Sequence, residues 1–234
     1  MLNDLISFKV PKRKNLLSLI LMGISFCSFA NIAVSYANQI FEGFGINYDV
    51  DFGENPEGLF GFLLSFIATV IVPAFVEEFA FRGIVLGSLK KYGEAFAIIV
   101  SSVMFGFMHA NFEQIPFAFL VGLILGFIAV KSESIWPAIL IHAYNNSISV
   151  IFTYLLNDCS VEIQNIIYTI LLSVSLLLGI LALFITKNPK ELLCLKESDT
   201  ECSETKKYQW VFFSLFTIIF LVGSVLLSLT YLTL

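Results

Sequence analysis

The stretch LFGFLLSFIATVIVPAFVEEFAFRGIVL, residues 59–86, decides the fold of this chain. It has the length and apolar character of a membrane-crossing helix, yet Glu77, Glu78 and Arg82 fall within six positions of one another in its second half. A charged side chain at membrane depth costs roughly 2.5–3.5 kcal/mol on insertion scales. These three residues must therefore be paired with one another or used by the protein.

The whole chain has the composition of a membrane protein. Of its 234 residues, 58% are hydrophobic and only 13% are charged, whereas a soluble domain is about a quarter charged. Nearly uncharged runs of about 18 residues or more recur along the chain, and each is long enough to cross about 30 Å of hydrocarbon. We therefore predict an all-α fold, a polytopic transmembrane helical bundle.

Counting these runs predicts about seven spans, with the polar site between the second, third and fifth. The predicted spans are 16–40, 58–88, 95–110, 115–130, 135–156, 166–186 and 210–232. Lysine and arginine collect in segments 1–15, 89–94 and 187–209, which the positive-inside rule assigns to the cytoplasm; the last segment also carries acids, which count little in that rule. We therefore expect a multi-pass protein of the cell membrane with a cytoplasmic N-terminus.

Two alternatives to this topology follow from the same residues. The basic start and first apolar run also resemble a signal peptide, with Ser28-Phe29-Ala30 as a candidate cleavage site, but the run is longer than the usual 7–15 residues. Pro73 lies inside the second run and should kink or break that helix. A break into two short helices would reverse the orientation of everything downstream.

The runs divide the chain into three regions. Residues 1–57 hold the basic segment, the first transmembrane helix and an acidic external loop; residues 58–155 form a membrane core. Residues 156–234 hold the C-terminal transmembrane helices and a polar cytoplasmic linker at 187–209. No basic cluster with interleaved aromatic residues suggests a nucleic-acid partner. Four cysteines, all expected to be unpaired, are Cys27, Cys159, Cys194 and Cys202.

Helical spacing separates the charges of the opening stretch. Residues four apart lie on one face of a helix, which pairs Glu78 with Arg82. Glu77 is then about 100° around the helix from Glu78. We predict a structural ion pair between Glu78 and Arg82, with Glu77 left as the free acid.

Two other predicted spans carry the only histidines of the chain, His109 and His142. The same spacing pairs Phe105 with His109 and His142 with Asn146. Counting 1.5 Å per residue from the predicted cytoplasmic ends places Glu77 and His109 about 20 and 21 Å deep, and His142 and Asn146 about 12 and 18 Å deep. Three helices thus bring polar groups to overlapping levels.

These motifs resemble those of a known family: Glu77-Glu78-x-x-x-Arg82, Phe105-x-x-x-His109 and His142-x-x-x-Asn146. In order and spacing they are similar to the three motifs of the CAAX protease and bacteriocin-processing family of intramembrane proteases, abbreviated CPBP and also called Abi. The resemblance covers residues 58–155, and the flanking helices carry no specific signal.

The resemblance implies an intramembrane, metal-independent glutamic endopeptidase that acts on a membrane-associated peptide or protein substrate. Glu77 would match the glutamate that activates water, and His109 would hold and polarise that water. His142 and Asn146 would match the pair that stabilises the tetrahedral oxyanion. The residues that would position this site are Glu78, Arg82 and Phe105.

The chemistry of the residues leaves alternatives open. Donors aimed at an oxyanion can supply roughly 3–4 kcal/mol each, and no HExxH motif is present. Glu77, His109 and His142 could instead ligate zinc, although familiar zinc proteases carry two histidines on one helix.

Three non-proteolytic interpretations also remain. The chain could be a bacteriocin-immunity or peptide-binding membrane protein that uses the same cavity, a transporter, or a bundle with a polar network that performs no chemistry. Asn31, Asn38, Asn145 and Asn146 could serve only as hydrogen-bond donors between helices, worth about 0.6 kcal/mol each on average. Phe105 is expected to pack in the pocket wall.

Overall fold

The computed structural model describes residues 8–11, 14–48, 57–156, 158–198 and 200–233. Lys12, Arg13 and residues 49–56 of the acidic loop lie outside them. The elements in chain order are α1 Leu16–Gly43, β1 Asn47–Tyr48, α2 Gly58–Tyr92, α3 Glu94–Met108, α4 Gln114–Ser132, α5 Trp136–Leu156, α6 Val161–Ile185, α7 Pro189–Leu193, α8 Glu204–Phe212, α9 Leu215–Thr230 and β2 Leu232–Thr233.

The predicted polytopic helical bundle is confirmed, but fewer helices than seven are long enough to cross a membrane. Among the residues that the structure describes, five helices pass by length and composition, namely α1, α2, α4, α5 and α6. The predicted seventh span is two helices, α8 and α9, bent by 63° and passing only as a pair. The predicted third span is α3, whose 15 residues rise about 22 Å, less than a hydrocarbon core of about 30 Å.

Polar contacts gather the basic loops at one end of the bundle. Lys14 pairs with Glu191 at 2.8 Å, and its hydrogen bond lowers the pKa of the Glu191 carboxyl. The backbone N–H of Lys196 donates to Glu94 at 2.9 Å, which fixes the polar linker against the start of α3. We call this end the basic face and define it by the described residues 8–11, 14–15, 89–94, 131–135, 187–198 and 200–209.

The opposite end is closed by the two short strands. They pair antiparallel, with Asn47 opposite Thr233, so the end of α1 meets the end of α9. Residues at this end include no lysine or arginine, and we call it the acidic face, defined as residues 42–48, 109–113, 158–160 and 231–233. Which face lies in the cytoplasm stays a prediction.

The helix that carries the glutamates is continuous from Gly58 to Tyr92. The alternative of two short helices broken at Pro73 is therefore wrong. The backbone widens instead into π-helix over Phe66–Ile71 and Phe79–Leu86, with an α-helical segment, Val72–Glu78, between them. Proline has no backbone N–H and cannot donate the usual helical hydrogen bond, and a π-helical turn just before Pro73 accommodates this loss. Both glutamates thus lie at the end of a short α-helical segment between two wider ones.

Close packing of α3 on α4 holds the short helix in the bundle. A Cβ atom added at Gly122 would lie 3.0 Å from the Cβ and 3.1 Å from the Cα of Ser102. One added at Gly126 would lie 3.3 Å from Ile98. Small residues four apart allow such an approach between membrane helices. The Gly122 and Gly126 pattern therefore sets the distance between α3 and α4.

We expect Gly122→Ala to lower the melting temperature of the protein in detergent, because the new methyl group meets the backbone of α3 and overpacking costs about 1–3 kcal/mol. Gly223→Ala is the matched control, since a Cβ there meets no atom within 4 Å. Equal melting temperatures for the two variants would contradict the close α3–α4 contact.

Candidate active site

A buried carboxylate joins the two helices that carry most of the site. Glu78 Oε1 accepts a hydrogen bond from Arg82 Nη1 at 2.9 Å and lies 2.9 Å from His142 Nδ1. The side chains of Glu78 and Arg82 are completely buried. Because a carboxylate only accepts, Nδ1 of His142 carries the hydrogen in this bond. Glu78 therefore contacts α5 as well as Arg82, which the sequence did not predict.

Glu77 lies on the other side of the same imidazole. Its Oε2 is 3.8 Å from Nε2 of His142, and its side chain is 21% exposed where that of Glu78 is fully buried. Since Nδ1 is held by Glu78, Nε2 is the nitrogen that remains for a ligand. One histidine thus connects the buried glutamate with the accessible one.

Phe105 forms the floor beneath these groups. The Arg82 guanidinium carbon lies 4.2 Å from the centre of its ring, a cation–π distance. The ring also meets His109 and His142 edge-on, with centroids 5.2 and 5.9 Å away. Its carbonyl oxygen lies 3.0 Å from Nδ1 of His109, which follows the last residue of α3. Phe105 packs in the pocket wall, as expected, and also fixes the ring of His109.

Asn146 belongs to a row of three amides that crosses the cavity. Its Nδ2 donates to the Thr69 carbonyl at 3.0 Å, within the first π-helical segment of α2. Asn145 donates to Oδ1 of Asn146 at 3.3 Å, and Asn31 of α1 donates to Oδ1 of Asn145 at 3.1 Å. The amide of Asn146 is therefore oriented from both sides. Asn31 does bond between helices, as the sequence suggested.

The site opens into a cavity of about 850 Å³, within the usual range for ligand pockets. Five residues proposed from the sequence line it: Glu77, Phe105, His109, His142 and Asn146. Glu78 and Arg82 lie behind the wall. The cavity also takes residues from α1, α4 and α6, which the sequence did not assign to the site, among them Ser28, Asn31, Gln114, Phe117, Tyr168 and Leu172.

The alternative zinc site has no support in this geometry. Within the described ranges, no three His, Cys, Asp or Glu side chains are grouped so that they could hold a metal ion. Whether the protein uses a metal stays a prediction, which chelators test. The four cysteines are unpaired, as predicted, and Cys27 is buried.

Fold and site together define a polytopic helical membrane protein with a carboxylate–imidazole cluster on an intramembrane cavity. Residues 59–148 match the family described as "Type II CAAX prenyl endopeptidase Rce1-like". The Bacillus subtilis (strain 168) protein named "Putative membrane peptidase YdiL" is 34% identical over 89 residues, which cover 38% of this chain and 36% of that relative. No solved structure matches the chain.

Residues 59–148 are thus similar to CAAX-type membrane peptidases, the class that the three motifs of this segment resemble. The aligned region spans little more than a third of the curated relative. The activity and substrates of the whole protein are therefore matters for proposal.

The geometry predicts stability effects of very different size for the two glutamates. Glu78→Gln should lower the free energy of unfolding by about 3–5 kcal/mol, because Arg82 is left as a buried, unpaired charge. Glu77→Gln should change it by less than about 1 kcal/mol, since this side chain lies at the cavity wall. Unfolding in detergent with increasing denaturant measures both.

A double variant, Glu78→Gln with Arg82→Gln, serves as the control because it removes the charge that the first change strands. It should recover part of the lost stability. If Glu78→Gln proves as stable as Glu77→Gln, the buried ion pair of Glu78 with Arg82 does not stabilise the folded protein.

Proposed function

We propose that this chain is an intramembrane endopeptidase that hydrolyses peptide bonds with water activated by Glu77. One observation carries the proposal: His142, held at Nδ1 by Glu78, presents Nε2 to a cavity wall 3.8 Å from the Glu77 carboxylate. These residues lie within the segment that matches an endopeptidase family. A base and a hydrogen-bond donor beside one cavity are what peptide hydrolysis requires.

In the proposed reaction, Glu77 removes a proton from a water molecule that His109 helps to hold. The resulting hydroxide attacks the peptide carbonyl carbon, and the carbonyl oxygen becomes an oxyanion. Glu77 then returns the proton to the leaving nitrogen as the carbon–nitrogen bond breaks. The products are a carboxylic acid, which keeps the second hydrogen of the water, and an amine, and the enzyme recovers its starting state.

His142 and Asn146 are the proposed donors to the oxyanion. When protonated, His142 donates from Nε2 while Nδ1–H stays bonded to Glu78. Asn146 has two amide hydrogens, of which one is donated to the Thr69 carbonyl. The second is left for the substrate. Glu78, Arg82 and Phe105 act as positioning residues. Glu78 and Arg82 hold the donors from behind the cavity wall, and Phe105 holds them by packing alone.

We propose a substrate peptide that lies in the bilayer or is tethered to it, and a chain located in the cell membrane with its N-terminus in the cytoplasm. A prenylated CAAX-type C-terminus, a leader peptide and a segment of a membrane protein are the substrate classes to compare. Mass spectrometry of membrane peptides from cells with the wild-type chain and with Glu77→Gln distinguishes them, because peptides formed only by the wild type are products.

We expect Glu77→Gln to lower the cleavage rate about 10²–10⁴-fold, since the amide cannot accept a proton from water. Rates are measured with the purified protein in liposomes, on a peptide identified as above. Glu162→Gln makes the same chemical change at an exposed position on α6 and should leave the rate unchanged. Cleavage that persists in Glu77→Gln would show that Glu77 is not the base.

Two further results bear on the alternatives. Strong chelators should not inhibit the reaction, and inhibition reversed by zinc would favour a metal site. A cellular phenotype that survives Glu77→Gln, with no product peptides in the wild type, would instead indicate a bacteriocin-immunity or peptide-binding protein.

A further inference from the structure

A second cavity, of about 650 Å³, adjoins the one that contains Glu77. The two share four lining residues, namely Asn31, Gln114, Phe117 and Ser149. From this junction the second cavity extends past Ser35 and Asn38 of α1 to Glu42 and Glu113 at the acidic face. Its lining is mostly polar, although it lies between membrane helices.

The polar wall of this cavity is a stripe on α1. The stripe consists of Asn31, Ser35, Asn38 and Glu42. Steps of four, three and four residues keep these side chains within about 60° of one another on a helix with 3.6 residues per turn. Phe29, Tyr36 and Ile40 lie on the opposite side and are 59%, 64% and 60% exposed. The outer half of α1 therefore has one polar and one apolar face.

Such a polar face has a physical consequence in a bilayer. Polar side chains in a membrane helix are costly when they face lipid, and they normally face a cavity or a water-filled space. Here the apolar face of α1 is free for lipid and the polar face borders a cavity that reaches the acidic face. Residues of α1 lie outside the matched segment 59–148, so this feature belongs to the chain and not to the matched core.

We infer that the second cavity is a hydrated passage through which water reaches Glu77 from the acidic face. This inference rests on the proposed function, because hydrolysis consumes one water molecule for each bond and the site lies among membrane helices. Asn31 marks the inner end of the passage, since it lines both cavities and bonds to Asn145. Ser35 and Asn38 form its middle.

Thiol labelling tests whether the passage contains water. In a background with Cys159, Cys194 and Cys202 replaced by serine, Ser35→Cys and Asn38→Cys are each introduced, with Tyr36→Cys as the control at the same depth on the apolar face. A charged, membrane-impermeant thiol reagent is added to the protein in liposomes. We expect the two passage cysteines to react about tenfold or more faster than the control, because the reactive thiolate forms poorly in lipid.

Equal labelling of Ser35→Cys and Tyr36→Cys would overturn the passage, since it would mean that the stripe merely lies at headgroup depth. Labelling does not depend on catalysis, so this outcome is separate from the proposed function. If the cysteines are labelled in the expected order but the wild-type protein cleaves no peptide, the proposed endopeptidase activity is refuted and the hydrated passage is still supported.

Modification then tests the role of the passage. A bulky adduct on Asn38→Cys should lower the turnover number about tenfold or more by obstructing the route to the base, while the same reagent on Tyr36→Cys should leave turnover unchanged. Each variant is compared with its own unmodified form, so a folding defect cannot mimic the result. If complete modification of Asn38→Cys leaves turnover unchanged, water does not reach Glu77 by this route.

Discussion

The hydrogen bond between Glu78 and His142 is the contact on which the rest of the site depends. It joins α2 to α5 with a charge that has no access to solvent, and Arg82 balances that charge from the next turn of α2. A buried carboxylate without both partners would be strongly unfavourable. The orientation of His142, and with it the position of Nε2 beside Glu77, therefore follows from an electrostatic requirement of the folded state.

The helices are shaped so that this contact can form. Wider π-helical turns on both sides of Val72–Glu78 turn the glutamates toward α5 while the helix continues through Pro73. Glycines at 122 and 126 let α3 lie close to α4, which brings Phe105 under Arg82. Packing between small residues thus sets the position of the aromatic ring, which contacts both imidazoles.

The sequence predicted the helical bundle and the group of polar residues because charges in apolar runs have few explanations. It could not show that Glu78 contacts His142, since spacing along one helix reports only the neighbours within that helix. It also missed the π-helical segments, because they leave no hydropathy signal. It missed the shortness of α3 as well, because the apolar sequence of this helix resembles that of a membrane span. The polar residues of α1 were visible, but nothing in their spacing linked them to the core.

The length of α3 has a consequence for the membrane around the site. A helix about 8 Å shorter than the hydrocarbon core ends below the level reached by its neighbours. His109 follows its last residue, so the depth of this imidazole is tied to the point where the short helix ends. Lipids beside such a short helix must thin or tilt to match it. Bilayer thickness therefore becomes a physical variable of the site, because acyl chain length sets how deep the site lies below the bilayer surface.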